Sequence, residues 1–150
     1  MKFNTIDEIL DHAISLEQEA VRLYTDLAEK TNKPAIRVAF LGFADEERGH
    51  ERRLQGVKTG QRRLPSNEAI QDLKITELSA DVKLTPTSTY QDILLFAMKQ
   101  EKHAFMLYTQ LAARTDDPDT RALFEQLALE EAKHKLRFEI EYDDTILTEN

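Results

Sequence analysis

Residues 5–53 align without a gap onto residues 89–137 at an offset of 84, so the two stretches must fold alike. Leu23-Tyr24-Thr25 falls on Leu107-Tyr108-Thr109, Pro34 on Pro118, Phe40 on Phe124, and Glu46-Glu47 with His50 on Glu130-Glu131 with His134. The polar matches carry the most information, because hydrophobic residues coincide readily between any two helices.

Each copy reads as two helices joined by a tight turn. The second helix opens at a proline, Thr31-Asn32-Lys33-Pro34 in one copy and Thr115-Asp116-Asp117-Pro118 in the other, where the missing N–H costs nothing. Thr5-x-x-Glu8 and Ser88-x-x-Gln91 suit capping boxes at the first helix of each copy. The spacing predicts helices over 5–31, 34–55, 89–114 and 118–143. At 1.5 Å per residue each is roughly 33 to 40 Å long, the proportions of a bundle. The expected fold is therefore all-α: one domain over 1–150, built from helical hairpins at about 5–55 and 89–143. A crossover over about 56–88 is long enough to run the length of the bundle and leave the second and third helices parallel. Within it, 67–73 reads as a short helix, and Ile75, Leu78, Val82 and Leu84 as an apolar patch against the bundle.

Composition agrees. Four Gly and four Pro in 150 residues supply too few turns for a many-stranded protein. The net charge of -8 repels phosphate backbones and anionic membranes, which argues against nucleic acid as a partner. Arg52, Arg53, Arg62 and Arg63 read as counter-charges to nearby acids. The absence of cysteine excludes disulfides, thiol catalysis and cysteine-ligated metals within these residues. No apolar run is long enough to span a membrane and the first ten residues are acidic, so a soluble cytoplasmic protein is expected.

The seam of each helix, followed in steps of three and four, is apolar except at its middle. The first runs Leu10, Ala13, Glu17, Ala20, Tyr24, Leu27, and the second Phe40, Phe43, Glu47, His50, Leu54. The third runs Ala97, Glu101, Ala104, Tyr108, Leu111, and the fourth Phe124, Leu127, Glu131, His134, Phe138. Four carboxylates and two imidazoles thus point into the core, where unpaired carboxylates cost several kcal/mol each and repel one another. Two divalent metals balance four carboxylates, and Glu-x-x-His places both ligands on one helix face. The inventory suits a dimetal site with bridging carboxylates and one imidazole per ion, with iron, manganese and zinc all compatible.

Several neighbours of these six admit two readings. Tyr24 and Tyr108 lie two turns beyond Glu17 and Glu101, where each can hydrogen-bond a carboxylate on another helix or serve as a satisfied core aromatic. Glu46 and Glu130 can accept the second N–H of the histidines or stand in solvent as surface charges. His12 and His103 read as surface residues, and Met98 and Met106 as packing.

The pattern resembles the ferritin-like diiron-carboxylate superfamily, and within it the rubrerythrin-type diiron domain, over nearly the whole chain. Glu17, Glu47, His50, Glu101, Glu131 and His134 match that family's Glu…Glu-x-x-His…Glu…Glu-x-x-His ligands, and Tyr24 and Tyr108 match tyrosines beside such sites. The stretches 72–75 and 134–139 look like stand-alone members without a rubredoxin tail. The resemblance implies two iron ions per chain, a homodimer, and reduction of hydrogen peroxide or dioxygen in oxidative-stress defence, with Tyr24 and Tyr108 as candidate catalytic residues. Two departures qualify it. Ala104 stands where rubrerythrins carry a further Glu, bringing the ligand set closer to that of bacterioferritins. Without cysteine the chain needs an external electron donor such as a rubredoxin. Ferroxidase activity of the ferritin type, and a structural dimetal bundle without turnover, are the alternatives.

Overall fold

The structure, a computed structural model, describes residues 3–60, 64–71, 73 and 84–149. Among these it holds five helices and no strand: α1 (Ile6–Lys30), α2 (Pro34–Thr59), α3 (Asn67–Ile70), α4 (Tyr90–Ala113) and α5 (Pro118–Glu149). The short helix is one turn rather than the expected two, and α2 and α5 run past their expected ends at 55 and 143. Arg62, Arg63, Ile75, Leu78 and Val82 lie outside the described residues.

Local chemistry sets the helix starts. Thr5 caps α1 by accepting from the Glu8 N–H, while the Glu8 carboxylate reaches back to Asn4 rather than to the cap itself. At α4 the box forms one residue later than expected, between Thr89 and Asp92, and Ser88 turns instead to the Thr85 N–H. The α5 start is held by Asp117, whose carboxylate accepts from the Thr120 N–H at 3.0 Å. Arg37 ties the first hairpin shut, donating to the carbonyls of Ala28 and Thr31 at the end of α1.

Side-chain pairs reveal the directions. Gln18 meets Glu51 and Asp11 meets Lys58, so α1 and α2 are antiparallel. Tyr90 and Gln91 meet Glu141 and Tyr142, so α4 and α5 are antiparallel. Across the hairpins, Glu19 meets Gln100 while Tyr108 meets Glu17, and α1 runs against α4. Consequently α2 and α4 are parallel and the crossover traverses the bundle, as in ferritin-like topology. The hairpins approach closely along α1 and α4 and only sparsely along α2 and α5.

The core is split. One apolar cluster gathers Leu10, Leu54, Leu107, Leu111, Phe124 and Leu127; the other gathers Tyr24, Leu27, Phe40, Leu94, Ala97 and Phe138. Between them, on all four long helices, lie the acidic and imidazole positions of the seams. Phe138 is fully buried, stacked on Phe40 with centroids 5.6 Å apart and packed on Tyr24 at 5.1 Å. Truncation by Phe138→Ala is expected to cost about 3–5 kcal/mol through lost burial and the cavity left behind, read as a lowered denaturation midpoint. A midpoint unchanged from wild type would mean that this cluster does not support the bundle.

Candidate metal centre

Glu17 on α1, Glu47 and His50 on α2, Glu101 on α4, and Glu131 and His134 on α5 meet in the layer between the two apolar clusters, each 2% exposed or less. Their donor atoms form two overlapping groups, Glu17, Glu47, His50 and Glu131 in one and Glu47, Glu101, Glu131 and His134 in the other, with all atoms of a group within 4.8 Å of one another. Glu47 and Glu131 belong to both groups. His50 Nδ1 lies 2.8 Å from Glu131, 3.4 Å from Glu17 and 3.4 Å from Glu47. His134 Nδ1 lies 3.0 Å from Glu47 and 3.8 Å from Glu101.

The imidazoles are held from behind. His50 Nε2 contacts the Glu130 carboxylate at 2.5 Å, and His134 Nε2 contacts Glu46. A proton on each Nε2 leaves Nδ1 as the lone-pair atom facing the cluster. Each glutamate therefore serves the histidine of the other hairpin, so both pairs cross the α2–α5 gap. Their settings differ. Glu130 is 23% exposed and paired with Arg53 at 3.3 Å, whereas Glu46 is 55% exposed and, among the described residues, meets only His134. Arg53 thus acts as the counter-charge expected of it, on a group that braces the site.

The tyrosines are also unequal. Tyr108 donates from its hydroxyl to Glu17 Oε1 at 2.5 Å, a bond between helices. Burial first, and then the charge of Glu17, raise its pKa well above the usual phenol value, so it stays a proton donor. Tyr24 makes no counterpart bond to Glu101 among the described residues. Its ring stands edge-on to His134 at 5.9 Å and packs on Phe138. Ala104 lies in the apolar cluster and adds no donor.

One oxygen or nitrogen from each of the six residues is buried without a hydrogen-bond partner: Glu17 Oε2, Glu47 Oε1, His50 Nδ1, Glu101 Oε2, Glu131 Oε1 and His134 Nδ1. Six lone-pair atoms facing one another without a donor is an arrangement that only cations relieve. The donor set, four carboxylates and two neutral imidazoles, suits two divalent ions of the borderline-to-hard class.

Without metal, protons must fill that role. Burial first, then the negative charges of Glu131 and Glu17, push the Glu47 carboxyl well above its ordinary range. Burial and Glu131 do the same to Glu101. Burial also acts upward on Glu131, but hydrogen bonds from His50, Glu101 and Glu47 outweigh it and its pKa is lowered. At His50 burial disfavours the imidazolium, yet hydrogen bonds to Glu131 and Glu17 prevail and raise its pKa to about 10.

One expectation is corrected. His103 is 5% exposed rather than a surface residue, and His12 is half-buried against it, their Nε2 atoms 3.0 Å apart across α1 and α4. Each faces away from the carboxylate layer, as its turn around the helix required, but that direction leads into the α1–α4 seam instead of solvent.

The fold and this layer define a class: a ferritin-like four-helix bundle with a buried carboxylate–imidazole cluster of dimetal type. The family model described as Rubrerythrin matches residues 8–142, and the chain belongs to the rubrerythrin family. A candidate ferritin-like diiron-carboxylate protein from Thermotoga maritima, known from its crystal structure, shares the fold with a TM-score of 0.75 at 21% identity, over 97% of this chain and 99% of that one. A hypothetical protein from Pyrococcus furiosus follows at a TM-score of 0.69 and 24% identity, over 91% and 87% of the two chains. No functionally curated protein matches significantly. Among the described residues no helix is long and apolar enough to cross a membrane.

Proposed function

We propose that the whole chain works as one dimetal domain, with Glu17 and His50 holding one ion, Glu101 and His134 the other, and Glu47 and Glu131 shared between them. The overlap of the two donor groups at Glu47 and Glu131 is the observation that supports this reading most directly. We further propose that the metal is iron and that the domain reduces hydrogen peroxide or dioxygen as a cytoplasmic homodimer, drawing electrons from an external donor of the rubredoxin kind.

Two such ions would supply one electron each, which with two protons suffices to cleave hydrogen peroxide to two waters or to take dioxygen as far as hydrogen peroxide. The chain's own contribution is positioning and proton control. Glu130 and Glu46 fix the ring orientation of His50 and His134, and Tyr108 fixes the rotamer of Glu17. Glu46, more than half exposed, connects His134 to solvent and so offers a place to take up a proton. Phe43, at 4.4 Å from the His134 ring, and Phe138 close the layer against water.

Ferroxidase activity is the second reading, favoured by Ala104, whose burial among apolar side chains leaves no seventh ligand. Stopped-flow absorbance after loading two Fe(II) per chain anaerobically separates the two. Faster oxidation by peroxide than by dioxygen is expected, whereas equal or faster oxidation by dioxygen would move ferroxidase ahead. Failure of both oxidants to give a diferric spectrum would sink the iron assignment.

Tyr108→Phe removes the hydroxyl that orients Glu17, and metal affinity is expected to fall about tenfold, within the range for such supporting contacts. Tyr24→Phe, which breaks no bond to a carboxylate among the described residues, should leave affinity within about twofold, since no such contact is lost. Chelator competition measures both, and equal losses in the two variants would remove Tyr108 from its positioning role.

A further inference from the structure

Outside the carboxylate layer, two further imidazoles meet at close range. His12 Nε2 and His103 Nε2 are 3.0 Å apart, with the rings at 87° and their centroids separated by 5.3 Å. We propose that His12 and His103 form a separate mononuclear metal site on the α1–α4 seam, selective for a nitrogen-seeking divalent ion such as Cu(II) or Ni(II).

The separation matches the bite of a bis-imidazole chelate. Two metal–nitrogen bonds of about 2.0 Å place their nitrogens about 2.8 Å apart at a right angle and about 3.3 Å apart at the tetrahedral angle. The observed 3.0 Å lies between, near the square or tetragonal geometry that Cu(II) and Ni(II) adopt. The two Nε2 atoms share a hydrogen bond, one donating and the other accepting, so a cation takes both lone pairs by displacing that proton, the donating ring shifting to its Nδ1–H tautomer without a ring flip.

The surroundings suit a cation. His103 is 5% exposed and anchored within the helix interface, while His12 is half-buried and so keeps contact with solvent, from which an ion can reach it. The negative charge of Glu19 acts on His12, and Gln100 holds that carboxylate at 3.0 Å. Burial and the neighbouring His103 ring lower the proton affinity of His12, keeping the neutral form that metals require. The Phe3 ring, 5.2 Å from His12, walls one flank.

The site is also independent of the duplication. Offset by 84 residues, His12 corresponds to Phe96, and His103 corresponds to Glu19. Neither histidine is copied, so the pair is not a by-product of repeating the dimetal half-site. Its all-nitrogen donors select differently from the carboxylate layer, which favours harder ions.

Titration of the full chain with Cu(II), followed by electron paramagnetic resonance, tests the site. Wild type is expected to show a mononuclear signal with splitting from two imidazole nitrogens, one Cu(II) per chain. That signal should disappear in His12→Gln and in His103→Gln, and survive in His134→Gln. His12→Gln, at the half-buried edge, is the deciding variant, with its melting curve showing that it folds. Absence of the signal in wild type, or its persistence in folded His12→Gln, overturns the proposal. Loss in His134→Gln with persistence in His12→Gln would assign the copper to the carboxylate layer instead, leaving the dimetal reading intact.

Discussion

Metal content of purified Glu131→Ala is expected to fall from two ions per chain to fewer than one, whereas Glu17→Ala should retain one. The asymmetry follows from position alone. Glu131 and Glu47 each contribute to both donor groups, while Glu17 belongs only to the group containing His50. Removing a shared carboxylate strips a ligand and a unit of negative charge from both ions at once, leaving each with too few donors to outcompete water. Removing Glu17 leaves the group of Glu47, Glu101, Glu131 and His134 complete. Elemental analysis after dialysis against a weak chelator reads the outcome. Equal losses in the two variants would show that the carboxylates are not shared as the geometry places them.

The second large effect is on stability, and its sign depends on pH. In the metal-free protein, the raised pKa values of Glu47 and Glu101 mean that above about pH 4.5 these groups take up protons on folding. A raised folded pKa contributes stability that is complete below the unfolded value, about 4.5, and is lost as pH climbs through the folded value. His50 behaves likewise, its contribution complete below about 6.5 and lost on approach to about 10. Glu131 runs the other way, contributing above about 4.5 and losing that contribution in acid. Between pH 6 and 9 the two glutamic acids and His50 all act in the same direction, so metal-free protein weakens as pH rises.

Metal ions bind the deprotonated ligands and become better competitors over the same range. The melting-temperature gap between loaded and metal-free protein should therefore widen from pH 6 to pH 9. At free metal a hundredfold above the dissociation constant, each site adds about 2.7 kcal/mol. Loading at neutral pH should also release protons, measurable as a buffer-dependent heat. A gap that stays constant or narrows with pH would contradict the protonation pattern of the buried cluster.

Much of this architecture is legible in the chain because an α-helix converts spacing into direction. Glu17 falls four residues after Ala13 and three before Ala20, and that alone turns it toward the core. The same arithmetic applied at Glu47, His50, Glu101, Glu131 and His134, in two copies, yields an inward-facing set of six. The bundle topology was readable too, since a segment of some thirty residues between hairpins leaves room only for a traverse of the bundle.

The misses share a cause. His103 was correctly turned away from the carboxylates, but whether that direction met solvent or another helix depended on where α1 lay. The capping box expected at Ser88 and Gln91 forms instead at Thr89 and Asp92, because Gln91 is turned to the Tyr142 hydroxyl on α5, a contact that depends on where α5 lies. The short helix ended at Ile70 rather than Leu73, in a connection whose apolar residues carry no clear period.

By itself, then, the amino-acid sequence determined the duplicated helical hairpins, the residues that face the core, and the excess of buried negative charge that calls for divalent metal. Only the tertiary structure decided that Glu47 and Glu131 stand between the two donor groups, that Glu46 and Glu130 each brace the opposite hairpin's histidine, and that Tyr108 bonds Glu17 while Tyr24 faces His134. Periodicity sets the angle of a side chain about its own helix axis, but the rotation and offset of one helix against another come from packing, and those are what bring two particular atoms within reach.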